Sequence, residues 1–284
     1  MNIGLSMPLP AYKVNAAFMG SKAEELGFES IWYAEHPVMP VTTTSKFPGN
    51  ESGEVPWTYS HFADPFIALA QASGATSKIK LATGIALIPE RNPLVLAKTI
   101  STLDLFSGGR VLLGIGAGWH REETEMMGGD FDHRWTQTKE SILAMKEMWT
   151  KDEAEFHGKY YDFPPVRMFP KPMQKPHPPV ILGGMARNVF KRIIEWGDGW
   201  MPALPSLEEL EQGRVKLNDL ASKAGRDPSS IEIHAFGRPA QFRDKGAIKD
   251  LAHAGADRVT VWLQQTEGAA ALAEIDEIAR LVLQ

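Results

Sequence analysis

The sequence predicts an α/β protein: a single (β/α)8 TIM barrel with long insertions in loops at the C-terminal face and before strand five. Three observations predict it. Eight short β-rich runs alternate with helical stretches, several junctions between them carry a glycine, and 284 residues suit one barrel. An open doubly wound sheet has the same alternation, but the strand count and the chain length favour a closed barrel. We therefore expect residues 1–284 to form one domain.

The predicted strands are short and bounded by turn residues, and the predicted helices are long enough to cross over between parallel strands. The strands are Ile3–Met7, Ser30–Ala34, Ile79–Leu87, Val111–Ile115, Pro179–Leu182, Gly199–Met201, Ile231–Phe236 and Arg258–Trp262. The helices are Val14–Leu26, Pro65–Thr76, Pro93–Phe106, Arg134–Trp149, Ala186–Trp196, Leu207–Ala224, Lys245–Ala254 and Ala269–Leu283.

Four glycines stand where a helical pattern ends shortly before a strand begins: Gly27, Gly109, Gly197 and Gly255. A helix C-cap often needs a positive φ, which glycine adopts without steric cost. We therefore expect each of them to cap a helix in the left-handed conformation.

Composition excludes several classes of protein. The chain is 43% hydrophobic and 23% charged, as in a globular protein with a large core. Its net charge of −5 is mixed along the chain, which gives no footprint for nucleic acid. It has no cysteine, its eight histidines show no metal-site spacing, and neither a signal peptide nor an 18-residue apolar span is visible. We expect a cytoplasmic enzyme that acts on a small molecule, without a metal, nucleic-acid or membrane partner.

Two connections are longer than simple loops, residues 37–63 and 151–178. The first follows strand two and must therefore lie over the C-terminal face, where barrels place their active sites. Its aromatic residues have two interpretations, as the wall of a pocket or as anchors that fix the loop to the barrel. These residues are Trp57, Tyr59, His61 and Phe62.

The sequence lacks three common catalytic motifs: G-x-x-x-x-G-K-[ST] of nucleotide triphosphatases, H-E-x-x-H of zinc proteases and G-x-S-x-G of serine hydrolases. The run Gly114–Gly118 suggests a dinucleotide fold, but the third glycine of G-x-G-x-x-G falls on Trp119. The run instead offers a backbone free of Cβ atoms, which a flat ring could approach closely. The alternative is a tight turn that binds nothing.

Two further sites stand at predicted strand ends. His36 closes strand two, where barrels place catalytic side chains, although it could be a structural histidine held by the neighbouring Glu35 or by a backbone carbonyl. Gly183 and Gly184 follow strand five and precede a predicted helix. Free N–H groups there, from Gly184 to Ala186, would bind a phosphate, although the same arrangement also occurs as packing alone.

The sequence resembles the luciferase-like flavin and deazaflavin oxidoreductases over nearly its whole length. The order and spacing of several short motifs carry the resemblance. They are Trp32–His36, Ala82–Ile85 with Pro89–Pro93, Leu103–Val111, Gly114–Trp119, and Gly183–Gly184 followed by Gly197–Trp200.

The resemblance implies a coenzyme at the C-terminal mouth of the barrel, with His36 beside its redox ring. In similar proteins the segment matching Gly84 and Ile85 forms a bulge behind the ring, often with a non-prolyl cis peptide. The other implied coenzyme-binding residues lie along the edge of the ring, namely Gly116, Ala117, Gly118 and Trp119, and at the phosphate, namely Gly183, Gly184 and Met185.

Within the family the sequence is most similar to the branch that uses coenzyme F420. This implies an oxidoreductase that transfers a hydride between the deazaflavin and a small organic substrate, while His36 exchanges the accompanying proton. Trp119 stands where some deazaflavin enzymes carry an acidic residue. The alternatives are a reduced-FMN-dependent monooxygenase and a non-catalytic flavin-binding barrel. Similar proteins often dimerise, so we also expect a homodimer.

Overall fold

The computed structural model describes residues 1–237 and 240–284 and shows parallel strands surrounded by helices. The strands are β1 (Asn2–Ser6), β2 (Ser30–Tyr33), β3 (Lys80–Thr83), β4 (Ala86–Leu87), β5 (Val111–Gly116), β6 (Ala154–His157), β7 (Asp162–Val166), β8 (Val180–Gly183), β9 (Gly199–Met201), β10 (Glu232–Phe236) and β11 (Arg258–Trp262). The helices are α1 (Ala16–Leu26), α2 (Pro65–Ala75), α3 (Pro93–Ser107), α4 (Arg121–Met126), α5 (Arg134–Thr150), α6 (Val189–Trp196), α7 (Leu207–Lys223), α8 (Lys245–His253) and α9 (Gly268–Val282).

The strands close into a barrel, which confirms the predicted architecture. Around the barrel the order is β1, β2, β3, β5, β8, β9, β10 and β11, and β11 pairs with β1 again. All of these pairs are parallel, as helical crossovers require. Closure leaves no exposed sheet edge, and it brings the carboxyl ends of all these strands to one mouth.

Side chains alternate between the two surfaces of the barrel wall, as a two-residue period requires. Outward-facing residues such as Leu5 and Ile115 belong to the large core between the wall and the helices. A smaller cluster fills the barrel interior: Trp32, Ala82, Leu112, Ile181, Met201 and Phe236.

The predicted strand Ile79–Leu87 is interrupted. Ala82 pairs with Leu112 and Ala86 with Ile115, so three residues of this strand face only two of β5, which defines a bulge. The peptide bond between Gly84 and Ile85 within the bulge is cis, as the resemblance implies.

β5 passes very close to this bulge at Gly114. A Cβ atom at that position would lie 2.1 Å from the carbonyl oxygen of Thr83. The Thr83 hydroxyl donates a 2.7 Å hydrogen bond to the Gly114 carbonyl and fixes the approach.

Helix ends agree with the sequence interpretation to within about three residues, with two corrections to the predictions. The helix predicted from Ala186 begins only at Val189. The second correction concerns the predicted glycine caps. Gly27, Gly109 and Gly255 have positive φ, but of these only Gly27 is itself the cap, since α3 and α8 are capped by Gly108 and Ala254. Gly197 has a φ of −101°. Its Cβ would lie 2.5 Å from Leu182 Cδ1, so glycine is needed there for close packing rather than for a left-handed cap.

The segment 151–178 is ordered by structure that the sequence did not predict. It contains the antiparallel hairpin β6–β7, whose first strand packs against α5. Its later part is held by Gln174, whose side chain donates to Asp104 Oδ1 on α3 over 2.7 Å. Because this segment precedes β8, it lies at the N-terminal end of the barrel, away from the mouth.

An ionic network occupies the N-terminal end of the barrel interior, where Arg258 and His234 are buried and Glu29 and Glu232 are partly exposed. Arg258 donates two 2.8 Å hydrogen bonds to Glu29 and one of 2.8 Å to Glu232, which is also 2.8 Å from His234 Nε2. Burial lowers the pKa of His234, and the hydrogen bond from His234 lowers that of Glu232 to about 2. These charges are paired with one another, which suits a stabilising role at this end of the barrel.

An apolar groove lies on the outside of the barrel, between α2 and α3, where Ile67, Val95 and Phe106 are exposed. Nothing in the structure shows what covers this groove, and the expected homodimer stays a prediction. In residues 1–237 and 240–284, no helix combines the length and the apolar character needed to cross a membrane.

We predict opposite effects for two Gly→Ala substitutions. Gly114→Ala should lower the free energy of unfolding by about 2 kcal/mol or more, because its Cβ meets backbone that the bulge holds in place. Gly74→Ala on α2 is the control. Apart from the backbone of its own helix and its chain neighbours, no described atom lies within 4 Å of a Cβ placed on Gly74. The Gly74→Ala variant should therefore gain about 0.5–1 kcal/mol in free energy of unfolding from helix propensity. Urea unfolding measures both, and a stable Gly114→Ala variant would contradict the packing argument.

Candidate active site

His36 lies three residues beyond β2, at the mouth, and pairs with a carboxylate from a distant part of the chain. Its Nδ1 is 2.6 Å from Glu123 Oε2. The His36 side chain is 6% exposed and that of Glu123 is fully buried. Glu123 lies on α4, which the sequence analysis did not predict, and 87 residues separate the two partners.

Glu35 is not the partner of His36, which corrects that structural alternative. Its carboxylate accepts hydrogen bonds from the Leu87 N–H at 2.7 Å and from Arg91 Nε at 2.5 Å. Arg91 also binds Asp64 at 2.6 Å, at the N-cap of α2. Burial raises the pKa of Glu35 against the opposing charge of Arg91. Glu35 and Arg91 thus join the ends of β2 and β4 to α2.

Aromatic rings surround His36. The ring centroids of Tyr59, Trp119 and Phe62 lie 5.0, 5.7 and 6.4 Å from that of His36, and Phe47 contacts both Tyr59 and Trp119. Burial raises the pKa of Tyr59 to about 12, so its phenol is neutral. The segment 37–63 therefore does line the mouth.

Two of the predicted aromatic residues of this segment do not join that wall. Trp57 is 54% exposed and packs on His61, and His61 contacts Tyr12. For these two residues the interpretation as loop anchors is the better one.

Segment 37–63 is bound to α4 by Glu122, the residue next to Glu123. Glu122 accepts hydrogen bonds from the Thr44 N–H at 2.6 Å, the Thr44 hydroxyl at 2.8 Å and the Ser45 hydroxyl at 2.6 Å. These donors, the Ser45 hydroxyl above all, hold the pKa of Glu122 well below its usual range. Two consecutive glutamates thus bind the loop and the histidine.

The predicted ring-binding glycines Gly84, Gly116 and Gly183 adjoin two side chains at this end of the barrel. A Cβ at Gly116 would lie 2.1 Å from Ile85 Cδ1, one at Gly183 would lie 3.3 Å from Ile85 Cγ2, and one at Gly84 would lie 3.1 Å from the Phe236 ring. Side chains at these positions would displace Ile85 or Phe236. Gly116 and Gly183 thus leave room for the Ile85 side chain, which lies across the mouth.

The segment after β5 combines a buried and a partly exposed part. Ala117 is buried, whereas Trp119 is partly exposed beside His36. Gly118 has a φ of +82°, and its Cβ would lie 2.9 Å from Thr124 Oγ1 and 3.3 Å from Glu90 Oε1. Glycine at 118 therefore allows the turn that brings α4 and its glutamates to the mouth.

The predicted phosphate site needs a correction. The Gly184 N–H already donates to the Met201 carbonyl at 3.0 Å, so it is not free for an anion. The Gly184 carbonyl accepts from Trp200 Nε1 at 2.9 Å. In the described part of the chain, the N–H groups of Met185 and Ala186 donate to no protein acceptor. These two groups, before α6 begins, remain candidates to bind an anion.

Glu90 is a buried carboxyl that the sequence analysis did not single out. Its Oε1 accepts a 2.8 Å hydrogen bond from the Thr124 hydroxyl, and its Oε2 has no partner among the described residues. Burial, and then the charge of Glu123, raise the pKa of Glu90 to about 8. Glu90 is thus neutral at pH 7. Nothing local in Pro89–Arg91 distinguishes it, because its burial depends on α4.

Comparison with known proteins identifies the fold family. Residues 15–281 match the family described as luciferase-like monooxygenase. An uncharacterised protein of Mycobacterium tuberculosis is 36% identical over 230 residues, which cover 80% of each chain.

Two relatives of known activity use different coenzymes. An F420-dependent glucose-6-phosphate dehydrogenase of Amycolatopsis mediterranei is 31% identical over 63% of this chain and 50% of its own length. An FMNH2-dependent dimethylsulfone monooxygenase of Pseudomonas putida is 31% identical over 56% of this chain and 44% of its own.

Solved structures show the same fold over the full length. A monooxygenase from Streptomyces bottropensis superposes with a TM-score of 0.81, at 20% identity, over 100% of this chain and 99% of its own. A coenzyme F420-dependent tetrahydromethanopterin reductase from Methanopyrus kandleri superposes with a TM-score of 0.75, at 19% identity, over 99% and 98%.

The raised pKa of Glu90 predicts a pH-dependent stability. Between the ordinary value of 4.5 and about 8 the folded protein binds the proton that the unfolded chain releases. The contribution of the protonated Glu90 carboxyl to the free energy of unfolding is therefore complete below pH 4.5 and is lost as the pH rises through 8. From pH 5.5 to 8.5 we expect a loss on the order of 2–3 kcal/mol.

Glu90→Gln mimics the neutral acid, so this part of the pH dependence should disappear. Urea unfolding at both pH values measures it, with the exposed Glu208→Gln on α7 as the control. Parallel pH profiles of wild type and Glu90→Gln would show that Glu90 titrates normally.

Proposed function

The chain belongs to the luciferase-like monooxygenase family and is therefore an enzyme of the oxidoreductase kind, and we propose that it is coenzyme F420-dependent. In this proposal it transfers a hydride between the deazaflavin and a small organic substrate. One observation carries the proposal: the Gly84–Ile85 bulge and the His36–Glu123 pair both lie at the mouth of the barrel.

The mouth fits a flat coenzyme ring. In this proposal the ring would lie over the Ile85 side chain, which has its space because the adjacent glycines carry no Cβ atom. Gly84, Ile85 and the segment Gly116–Trp119 would hold the ring, while the free N–H groups of Met185 and Ala186 would hold a phosphate. When bound, the coenzyme supplies the hydride chemistry, and the protein supplies position and proton transfer.

His36 is the group that would exchange a proton with the substrate. Its Nδ1 is engaged with Glu123, and its Nε2 has no partner among the described residues. A neutral imidazole nitrogen with a lone pair accepts a proton, so Nε2 would take a proton from a substrate hydroxyl and return it to a carbonyl oxygen. The rings of Tyr59, Phe62 and Trp119 would exclude water and favour an apolar or aromatic substrate.

The second candidate is a monooxygenase that uses reduced FMN. The sequence match to the dimethylsulfone monooxygenase favours it, and the same mouth would accept an isoalloxazine ring over Ile85. Both candidates share the position of the ring, so coenzyme binding must separate them.

We predict that the purified protein binds coenzyme F420 at least tenfold more tightly than FMN, which corresponds to about 1.4 kcal/mol. Calorimetric titration of both coenzymes in oxidised form measures this ratio. Tighter binding of FMN would favour the monooxygenase. Tight binding of F420 without turnover on any alcohol, carbonyl or alkene substrate would favour a non-catalytic barrel.

We also predict that His36→Asn lowers turnover by about 10²-fold or more and changes coenzyme affinity much less. Asparagine can still donate a hydrogen bond to Glu123, so the fold should largely survive. The control is His133→Asn at a histidine whose side chain is 61% exposed. Turnover per folded molecule and melting temperature are measured on each variant. Full turnover with a lowered melting temperature would mean that His36 is structural.

A further inference from the structure

We propose that Glu123 is a positioning residue that acts through His36: it accepts the Nδ1 proton and thereby holds Nε2 as the nitrogen that faces the mouth. This inference rests on the proposed function, because it assigns His36 a proton to exchange. Its structural part, the tautomer of His36, is independent of any coenzyme.

The geometry between the two side chains is that of a strong hydrogen bond. The distance of 2.6 Å from His36 Nδ1 to Glu123 Oε2 is short, as for bonds to an ionised group. Both side chains are almost completely buried, so water does not compete for the contact. The packing of Tyr59 and Trp119 against the imidazole limits rotation of the ring.

The other ionisable groups around Glu123 have partners of their own or are uncharged. On α4 itself, Glu122 is engaged with Thr44 and Ser45, and His120 Nδ1 accepts the Glu123 backbone N–H at 3.2 Å. From the segment after β4, Glu90 carries its proton at pH 7 and Arg91 binds Glu35 and Asp64.

Among the described residues, His36 is the side chain that binds this buried carboxylate, and the Val38 N–H is a second, longer donor, 3.4 Å from Glu123 Oε1. An unpaired buried charge would be costly, which makes the pairing energetically important.

A carboxylate at Nδ1 determines what Nε2 can do. An ionised carboxylate only accepts hydrogen bonds, so a neutral imidazole beside it must carry its proton on Nδ1. Nε2 then presents a lone pair, which takes a proton from a substrate. The resulting imidazolium has Glu123 beside it and can return that proton from Nε2. The same orienting role is known for a carboxylate behind a catalytic histidine in hydrolases.

The direct test is the protonation of the His36 ring in the protein without coenzyme. ¹⁵N NMR of labelled histidine, assigned with His36→Asn, should show Nδ1–H in the neutral ring of the wild type. In Glu123→Gln the amide can donate as well as accept, so the fraction of the Nε2–H tautomer should rise. A wild-type ring protonated on Nε2 would overturn the inference, whatever the variants do.

Kinetics give the second readout. With the coenzyme that binds, Glu123→Gln should lower kcat by about 10- to 100-fold while KM and coenzyme affinity stay within about threefold. Glu123→Asp keeps the carboxylate and should recover part of the loss and the Nδ1–H tautomer. The control on the same helix is Glu125→Gln, an exposed residue paired with Arg121, which should resemble the wild type.

The outcomes separate the two levels of the proposal. An unchanged tautomer and kcat in Glu123→Gln would refute the positioning role alone. A wild-type protein with the Nδ1–H tautomer but without turnover would refute the proposed function and leave the His36–Glu123 pair intact.

Discussion

One extra residue in the β3–β4 segment relative to β5 determines the geometry of the mouth. Thr83–Ile85 face only Leu113 and Gly114, so the chain must leave the plane of the barrel wall at this point. Gly114 makes this possible, because any side chain there would collide with the Thr83 carbonyl. The bulge directs Ile85 across the mouth, and the glycines at 116 and 183 are then needed to give that side chain its space.

The chain places three buried carboxyl groups close to the mouth, and each avoids an isolated charge in a different way. Glu35 is neutralised by Arg91 and a backbone N–H. Glu90 keeps its proton, because burial and the charge of Glu123 make ionisation unfavourable. Glu123 pairs with His36. A neutral Glu90 thus places no second negative charge beside the His36–Glu123 pair.

The sequence was sufficient to predict whatever depends on local periodicity and on single residue types. The barrel and most helix ends follow from strand alternation and glycine positions. It could not predict contacts that depend on tertiary packing. Glu123 lies on a helix of six residues, too short for a periodic signal, and it meets a histidine 87 positions away.

The errors of interpretation have the same origin. At Gly197 the sequence shows a glycine after a helix, but the reason for the glycine is the Leu182 side chain, which only the fold brings close. At Gly184 the backbone N–H is used by Met201 of the adjacent strand, a partner that no local pattern reveals. The local sequence thus indicates that a position needs glycine, whereas the physical reason depends on the residue that the fold packs against it.

α4 joins the cover of the mouth to His36. Glu122 and the Arg121 N–H bind Thr44 and Ser45 of the covering segment, and the next residue, Glu123, binds His36. Since adjacent residues of one short helix make both sets of contacts, α4 cannot shift without changing the cover and the histidine together. The cover, α4 and His36 therefore form one structural unit. Any displacement of the segment at Thr44 and Ser45 would act on the same helix that orients the imidazole of His36.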